Sequence, residues 1–149
     1  MPEIVALSVS LEKGVPKDNR DKVTFIAGRG IEGDAHAAPG LRQVSLLAVD
    51  SIGKMREKGL DVSPGAFAEN VTTRGIELPA LELGTELRLG KEVVLRVSQI
   101  GKVCHDRCRI YYQAGDCVMP REGIFGEVTV GGEVSVGDSI EIISPSPTV

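Results

Sequence analysis

Tryptophan is missing from this 149-residue sequence, and two tyrosines and three phenylalanines make up its aromatic content. A core must then be filled by Val, Ile and Leu, which suit a pleated sheet, so the composition leans toward β structure. Positive charge is also scarce. Seventeen Lys and Arg stand against 21 Asp and Glu, for a formal net charge of -4, which argues against the positive field that binding to nucleic acid generally needs. Long apolar runs are lacking too. The opening stretch MPEIVALSVSLEKG has no basic leader, and Ser8 and Ser10 interrupt its apolar residues, which excludes a signal peptide or spanning helix there and leads us to expect a cytoplasmic protein without a membrane partner. Cysteine is sparse and odd in number, at three. That excludes a full disulfide framework and favours thiol chemistry or a metal.

What is present suits one core. The length predicts a single domain over residues 1–149, with its core at about 3–143 and a flexible tail at 144–149, because Ser144-Pro145-Ser146-Pro147 cannot continue a ladder. Apolar and polar residues alternate at Glu86–Leu89, Val93–Val97 and Glu133–Val136, as in half-buried strands. Residues 3–9, 22–27, 44–47, 125–130 and 139–143 are further strand candidates, about nine in all. Leu81–Leu87 and Val134–Ile140 each read as strand, glycine, strand. The spacing of Val49, Ile52 and Met55, with Asp50 or Ser51 as N-cap and Gly59 as the stop, predicts a helix over Ser51–Lys58. Eighteen glycines and eight prolines among short strands fit a mainly β chain with many corners, a closed or partly open barrel with one or two short helices.

Chemistry concentrates in residues 99–125, QIGKVCHDRCRIYYQAGDCVMPREGIF. All three cysteines, Cys104, Cys108 and Cys117, lie there beside His105 and near Lys102, Arg107, Arg109 and Arg121. Nearby positive charge is what lets a thiolate exist at neutral pH. Free cysteines can also be small buried hydrophobes, and Cys104, Cys108, Cys117 with His105 or His36 could form a structural zinc site. A second cluster is Gly30–His36, including Asp34 and His36, followed by Arg42-Gln43-Val44-Ser45. Its glycines and Arg42 suit an anion, although standing alone the cluster reads more simply as an ordinary polar turn carrying a surface histidine. The third, Pro64–Gly75, holds Asn70, Thr72, Thr73 and Arg74, groups that can hold either a turn or a polar heterocycle.

Taken in order, GDAH, RQVSLL, PGAFAENVTTRG, IGKVCHDRC, GDCVMPREGIF and VGDSIEI resemble the short bacterial MOSC domain proteins, named for the C-terminal domain of molybdenum cofactor sulfurase. The resemblance covers Ser8 to Ile143. It implies a MOSC-type β-barrel and a cysteine that carries sulfane sulfur or ligates molybdenum. In the amidoxime-reducing relatives an arginine-cysteine pair supplies the ligand, which Arg107-Cys108 matches, and Asn70 matches an asparagine close to the pterin. The relatives' arginine two residues earlier is Ala68 here. The sulfurases also carry a pyridoxal-phosphate desulfurase domain that this chain does not contain, so no pyridoxal phosphate is expected on it.

The resemblance thus implies a molybdenum-cofactor-related protein, a sulfur transferase or a molybdenum-dependent reductase component. Cys108 would be its principal thiolate or metal ligand, with Cys104 and Cys117 auxiliary. Arg42, Arg74 and Arg121 would meet the phosphate of a molybdenum cofactor, and Asn70, Thr72 and Thr73 its ring. Lys102, Arg107, Asp34 and His36 would complete the pocket. A cysteine desulfurase or cofactor-assembly proteins would be the partners. A non-catalytic assembly module and a structural zinc domain are the alternatives.

Overall fold

The computed structural model describes residues 2–10, 17–34, 37, 39–40, 43–57, 59, 64–65, 69–100 and 123–144. Among them eleven strands form: β1 (Glu3–Val9), β2 (Asp18–Arg20), β3 (Lys22–Ile26), β4 (Gly30–Ile31), β5 (Val44–Ala48), β6 (Val71–Arg74), β7 (Glu86–Leu89), β8 (Val93–Ile100), β9 (Ile124–Val130), β10 (Gly132–Ser135) and β11 (Ile140–Ser144). One helix, α1 (Val49–Glu57), follows β5 directly. An eight-stranded sheet runs in the order β11-β7-β8-β9-β5-β6-β1-β2, and a three-stranded sheet in the order β10-β3-β4.

The large sheet curls until β1, next to its β2 edge, approaches the turn before β11 at the other edge. Glu3 of β1 bridges to Ser139, just before β11. Beside that bridge, Ile4 N–H donates to the Asp138 carbonyl (2.9 Å), Gly137 N–H to the Ile4 carbonyl (2.8 Å) and Ile140 N–H to the Pro2 carbonyl (3.0 Å). The bridge is not extended along β11, so the barrel is partly open. The small sheet joins it through the backbone bond from Gly28 N–H to the Val128 carbonyl of β9 (2.8 Å).

Alternation decides which side chains fill the interior. In β7 and β8, Leu87, Leu89, Val93, Leu95 and Val97 are buried while their neighbours are partly or fully exposed. They join Ile4, Leu7, Phe25, Ile31, Val44, Leu46, Val71 and Ile124 in one aliphatic core. Each such side chain contributes about 1.5–3 kcal/mol by leaving water. A register shift between Ile4 and Ala6 lets both Ile4 and Leu7, at odd spacing, reach that core.

Four expectations need correction. Three strands carry no alternating pattern and were not anticipated: β2 is fully exposed, β4 is two residues long, and β6 lies within the polar third cluster. The stretch before Gly84 is not a strand. Leu78–Ala80 is a single 3-10 turn, and Leu83 is 65% exposed, so only Leu78, Leu87 and Leu89 of that leucine-rich run enter the core. The helix begins two residues earlier than expected, with Asp50 in its first turn and Lys54 and Arg56 in its last, favourable ends for its dipole. β10 ends at Ser135, leaving Val136 exposed. No helix among the described residues is long and apolar enough to cross a membrane.

Candidate functional site

The first residues of β5 are where separate stretches of sequence meet. β5 pairs in parallel with β6 from Leu46↔Val71 to Ala48↔Thr73, and antiparallel with β9 from Val44↔Gly126 to Leu46↔Ile124. At its start the backbone ladder gives way to amide side chains. Asn70 Oδ1 accepts from Ser45 N–H (2.9 Å) and from Ser45 Oγ (3.1 Å), while Asn70 Nδ2 donates to the Ser8 carbonyl (3.1 Å). Its backbone N–H donates to Ser45 (3.0 Å). Asn70 thus ties β1 to β5 one residue beyond the end of the β5–β6 ladder. Gln43 does the same on the other flank, where its Oε1 accepts from Val128 N–H of β9 (2.9 Å).

A buried polar layer continues from there. Lys17 Nζ and Asp34 Oδ1 are 2.7 Å apart, and neither side chain is exposed to solvent. The ammonium also donates to Ser10 Oγ (3.2 Å), and Ser10 N–H donates to Asp34 Oδ1 (3.1 Å). Lys17 N–H donates to the Gly65 carbonyl (2.7 Å), Gly65 N–H to Glu69 Oε2 (2.8 Å) and Thr72 Oγ1 to the same carboxylate oxygen (3.2 Å). Gly65 has φ +96°, and a β-carbon there would run into the Lys17 carbonyl oxygen and lie 3.2 Å from Ser8 Oγ. Only glycine fits that crossing. One ammonium and two carboxylates are therefore held in a layer that water does not reach, which raises the penalty for losing any one of them.

Of the residues singled out from the sequence, Asp34, Asn70, Thr72, Thr73 and Arg74 are among those described. Asp34 lies in the ion pair with Lys17. Asn70, Thr72 and Thr73 are fully buried, so as they stand they offer no surface to a ligand. Thr73 Oγ1 has no hydrogen-bond partner among the described residues; Thr73 alternates with Thr72 and so shares a face with the core residue Val71. Arg74, four residues beyond Asn70 and so about 13 Å along the strand, pairs with Glu3 across β1–β6 (3.1 Å) on the exposed surface. Cys104, Cys108, Cys117, Lys102, Arg107, Arg121, His36 and Arg42 lie outside the described residues. The ends of the cysteine segment are described: Ile100 and Ile124 pair with each other, and Ile124 also with Leu46. Its root is thus one rung from Ser45.

Reading the sequence missed Lys17, Gln43 and Glu69. Lys17 is separated from Asp34 by 17 positions, and nothing local marks a lysine that will be buried. Glu69 precedes Asn70 inside the third cluster, and Gln43 follows Arg42 inside RQVSLL. A polar residue directly before the β-branched start of β5 was the available signal for Gln43, and Glu69 stands two positions before the start of β6. Among the described residues no group of three or more His, Cys, Asp and Glu gathers as for a metal ion.

Comparison with known proteins supplies the framework. No curated protein matches the sequence. Among solved structures, YuaD from Bacillus subtilis is similar at 23% identity and TM-score 0.79, with 98% of each chain covered. YiiM from Geobacillus stearothermophilus is similar at 18% identity and TM-score 0.74, over 99% of this chain and 78% of that one. YiiM from Escherichia coli follows at 21% and 0.68, over 99% and 72%. At such identities the likeness establishes the fold alone. The MOSC domain model matches residues 32–141, a span that takes in the start of β5, the polar layer at Glu69–Thr72 and all three cysteines. The chain belongs to the MOSC domain family.

Proposed function

We propose that this protein carries sulfane sulfur on Cys108 for the maturation of a molybdenum cofactor or of an enzyme that uses one. The MOSC family is associated with molybdenum cofactor sulfurase-type proteins, and the cysteines lie within the matched span. The observation that favours carriage over cofactor binding is the burial of Asn70, Thr72 and Thr73. Asn70 and Thr72 are engaged with Ser45, Ser8 and Glu69, and Thr73 shares the core face of β6. A shelf for a pterin ring needs exposed donors and acceptors, and these three do not fit that part.

The chemistry needs only the chain's own thiolate and a persulfide donor. The Cys108 thiolate attacks the outer sulfur of the donor's persulfide, the donor S–S bond breaks, and the donor leaves as a thiolate. Cys108 then holds the sulfur as a persulfide, whose outer sulfur an acceptor thiolate attacks, taking it as a new persulfide while Cys108 leaves as a thiolate. Arg42, Lys102, Arg107 and Arg121 supply the positive charge that keeps Cys108 ionised. Cys104 or Cys117 resolves the persulfide by attacking its inner sulfur, forming a disulfide with Cys108 and releasing the outer sulfur as hydrosulfide. A cysteine desulfurase is the donor class that this scheme requires.

The test is mass spectrometry of the protein after incubation with a cysteine desulfurase and cysteine. The expected result is a gain of about 32 Da, one sulfur atom, on the peptide containing Cys108, absent from Cys108→Ala. No gain on any cysteine overturns the reading. Molybdenum retained by the wild type and lost from Cys108→Ala, with no sulfur gain, would instead assign Cys108 as a metal ligand. Stoichiometric zinc would assign a structural site.

A further inference from the structure

We propose that the cleft between β2 and the small sheet binds a free amino acid whose side chain is small and uncharged. The cleft has a volume of about 360 Å³, near the lower end of the roughly 300–1,000 Å³ typical of small-molecule sites. Its apolar lining is Val9 and Val23, each 9% exposed and so still within reach of a ligand.

The charges around that lining select the ligand. Two cations, Arg20 and Lys22, and two anions, Glu32 and Glu133, border the cleft. Lys22 and Glu133 answer each other across the β3–β10 pair (3.7 Å). Among the described residues, Arg20 donates to the carbonyl of its own neighbour Asn19 (3.4 Å), and neither it nor Glu32 has an ion-pair partner. A phosphate or a lone carboxylate bound there would leave Glu32 facing a like charge, and a simple cation would do the same to Arg20. A small zwitterion satisfies both, with its carboxylate on the guanidinium and its ammonium on Glu32.

The walls are fixed before any ligand arrives. Asp34 N–H donates to the Ile31 carbonyl (3.1 Å), closing a turn in which Gly33 has φ +84°, a conformation that favours glycine. The Gly33 N–H enters no hydrogen bond among the described residues, which leaves a backbone donor in the cleft lining for a carboxylate. Asp34 sits in the buried pair with Lys17 and accepts from Ser10 N–H (3.1 Å), so Gly33 is tied to Val9 through their next neighbours. Glu32 N–H donates to the Thr24 carbonyl (2.9 Å), and Thr24 pairs with Glu133 on its other side. Backbone held in this way lowers the ordering cost of binding.

The experiment is titration of the ¹⁵N-labelled protein with L-valine, read as backbone amide shifts, in wild type, Arg20→Gln and Glu32→Gln. Both side chains are exposed, and the dispersion of each variant's spectrum checks that the fold is kept. Saturable shifts at Gly33 and Thr24 are expected, with a dissociation constant of about 1 mM for so open a cleft. Each variant should raise that constant by about threefold to tenfold. No saturable shift at either amide, or an unchanged constant in either variant, overturns the site. Acetate or methylammonium moving the same amides as strongly at equal concentration overturns the amino acid in favour of a simple ion. L-glutamate or L-lysine binding as tightly as L-valine overturns the preference for a small uncharged side chain.

Discussion

The buried polar residues of this fold are held in opposite ways. Thr73 is fully buried and its hydroxyl has no partner among the described residues, whereas the side chains of Lys17 and Asp34 are buried and bonded to each other and to Ser10. An unsatisfied hydroxyl is a liability, so Thr73→Val, which keeps the shape and removes the oxygen, should stabilise the protein by about 1 kcal/mol. The check is thermal unfolding, with a rise in Tm of about 2–4 °C expected for a chain of this size. A lower Tm would mean that the hydroxyl has a partner after all. Removing one side of the ion pair has the reverse effect. Lys17→Met or Asp34→Asn should each lose about 3–5 kcal/mol in urea unfolding, because the remaining group is left without its main partner away from water. The double variant should lose clearly less than the two singles added together, and additive losses would show that the pair is not coupled.

At the level of elements, the barrel strands were the readable part of the sequence. The strands β7 and β8 have one solvated and one buried face, so their alternation appears directly in Glu86–Leu89 and Val93–Val97. β6 is buried on both faces and uses Thr, Thr and Val, a composition that reads as a polar loop when its neighbours in space are unknown. The stretch Leu81–Leu83 errs in the other direction: it is apolar yet precedes a turn, and Leu83 faces solvent. The same blindness to distant neighbours hid most of the candidate site. The clustering of cysteine with arginine could be read from spacing, but Lys17 meeting Asp34, and Gln43 meeting Val128 across 85 positions, could not. Gly65 is the joint where this long-range layer is most sensitive, since it touches Lys17, Ser8 and Glu69 together. Gly65→Ala should therefore lose at least about 2 kcal/mol through backbone strain and the displaced Lys17 carbonyl, measured by urea unfolding. A loss of a few tenths would show that the segment can move aside.

Across the whole molecule, the meeting of β1 with the turn before β11 brings the first and last strands together. Glu3 opposes Ser139 and Pro2 accepts from Ile140, while β11 runs on only to Ser144. A glycine-serine tether long enough to span the roughly 16 Å of β11 could join residue 144 to residue 2, and the polypeptide could be reopened between Glu82 and Leu83, where both side chains are exposed. Such a circular permutant should fold to the same far-UV spectrum with a Tm within several degrees of the parent, because no rung of either sheet is cut. The gene order of these strands would then be a matter of history, and the barrel's stability a property of its neighbours in space.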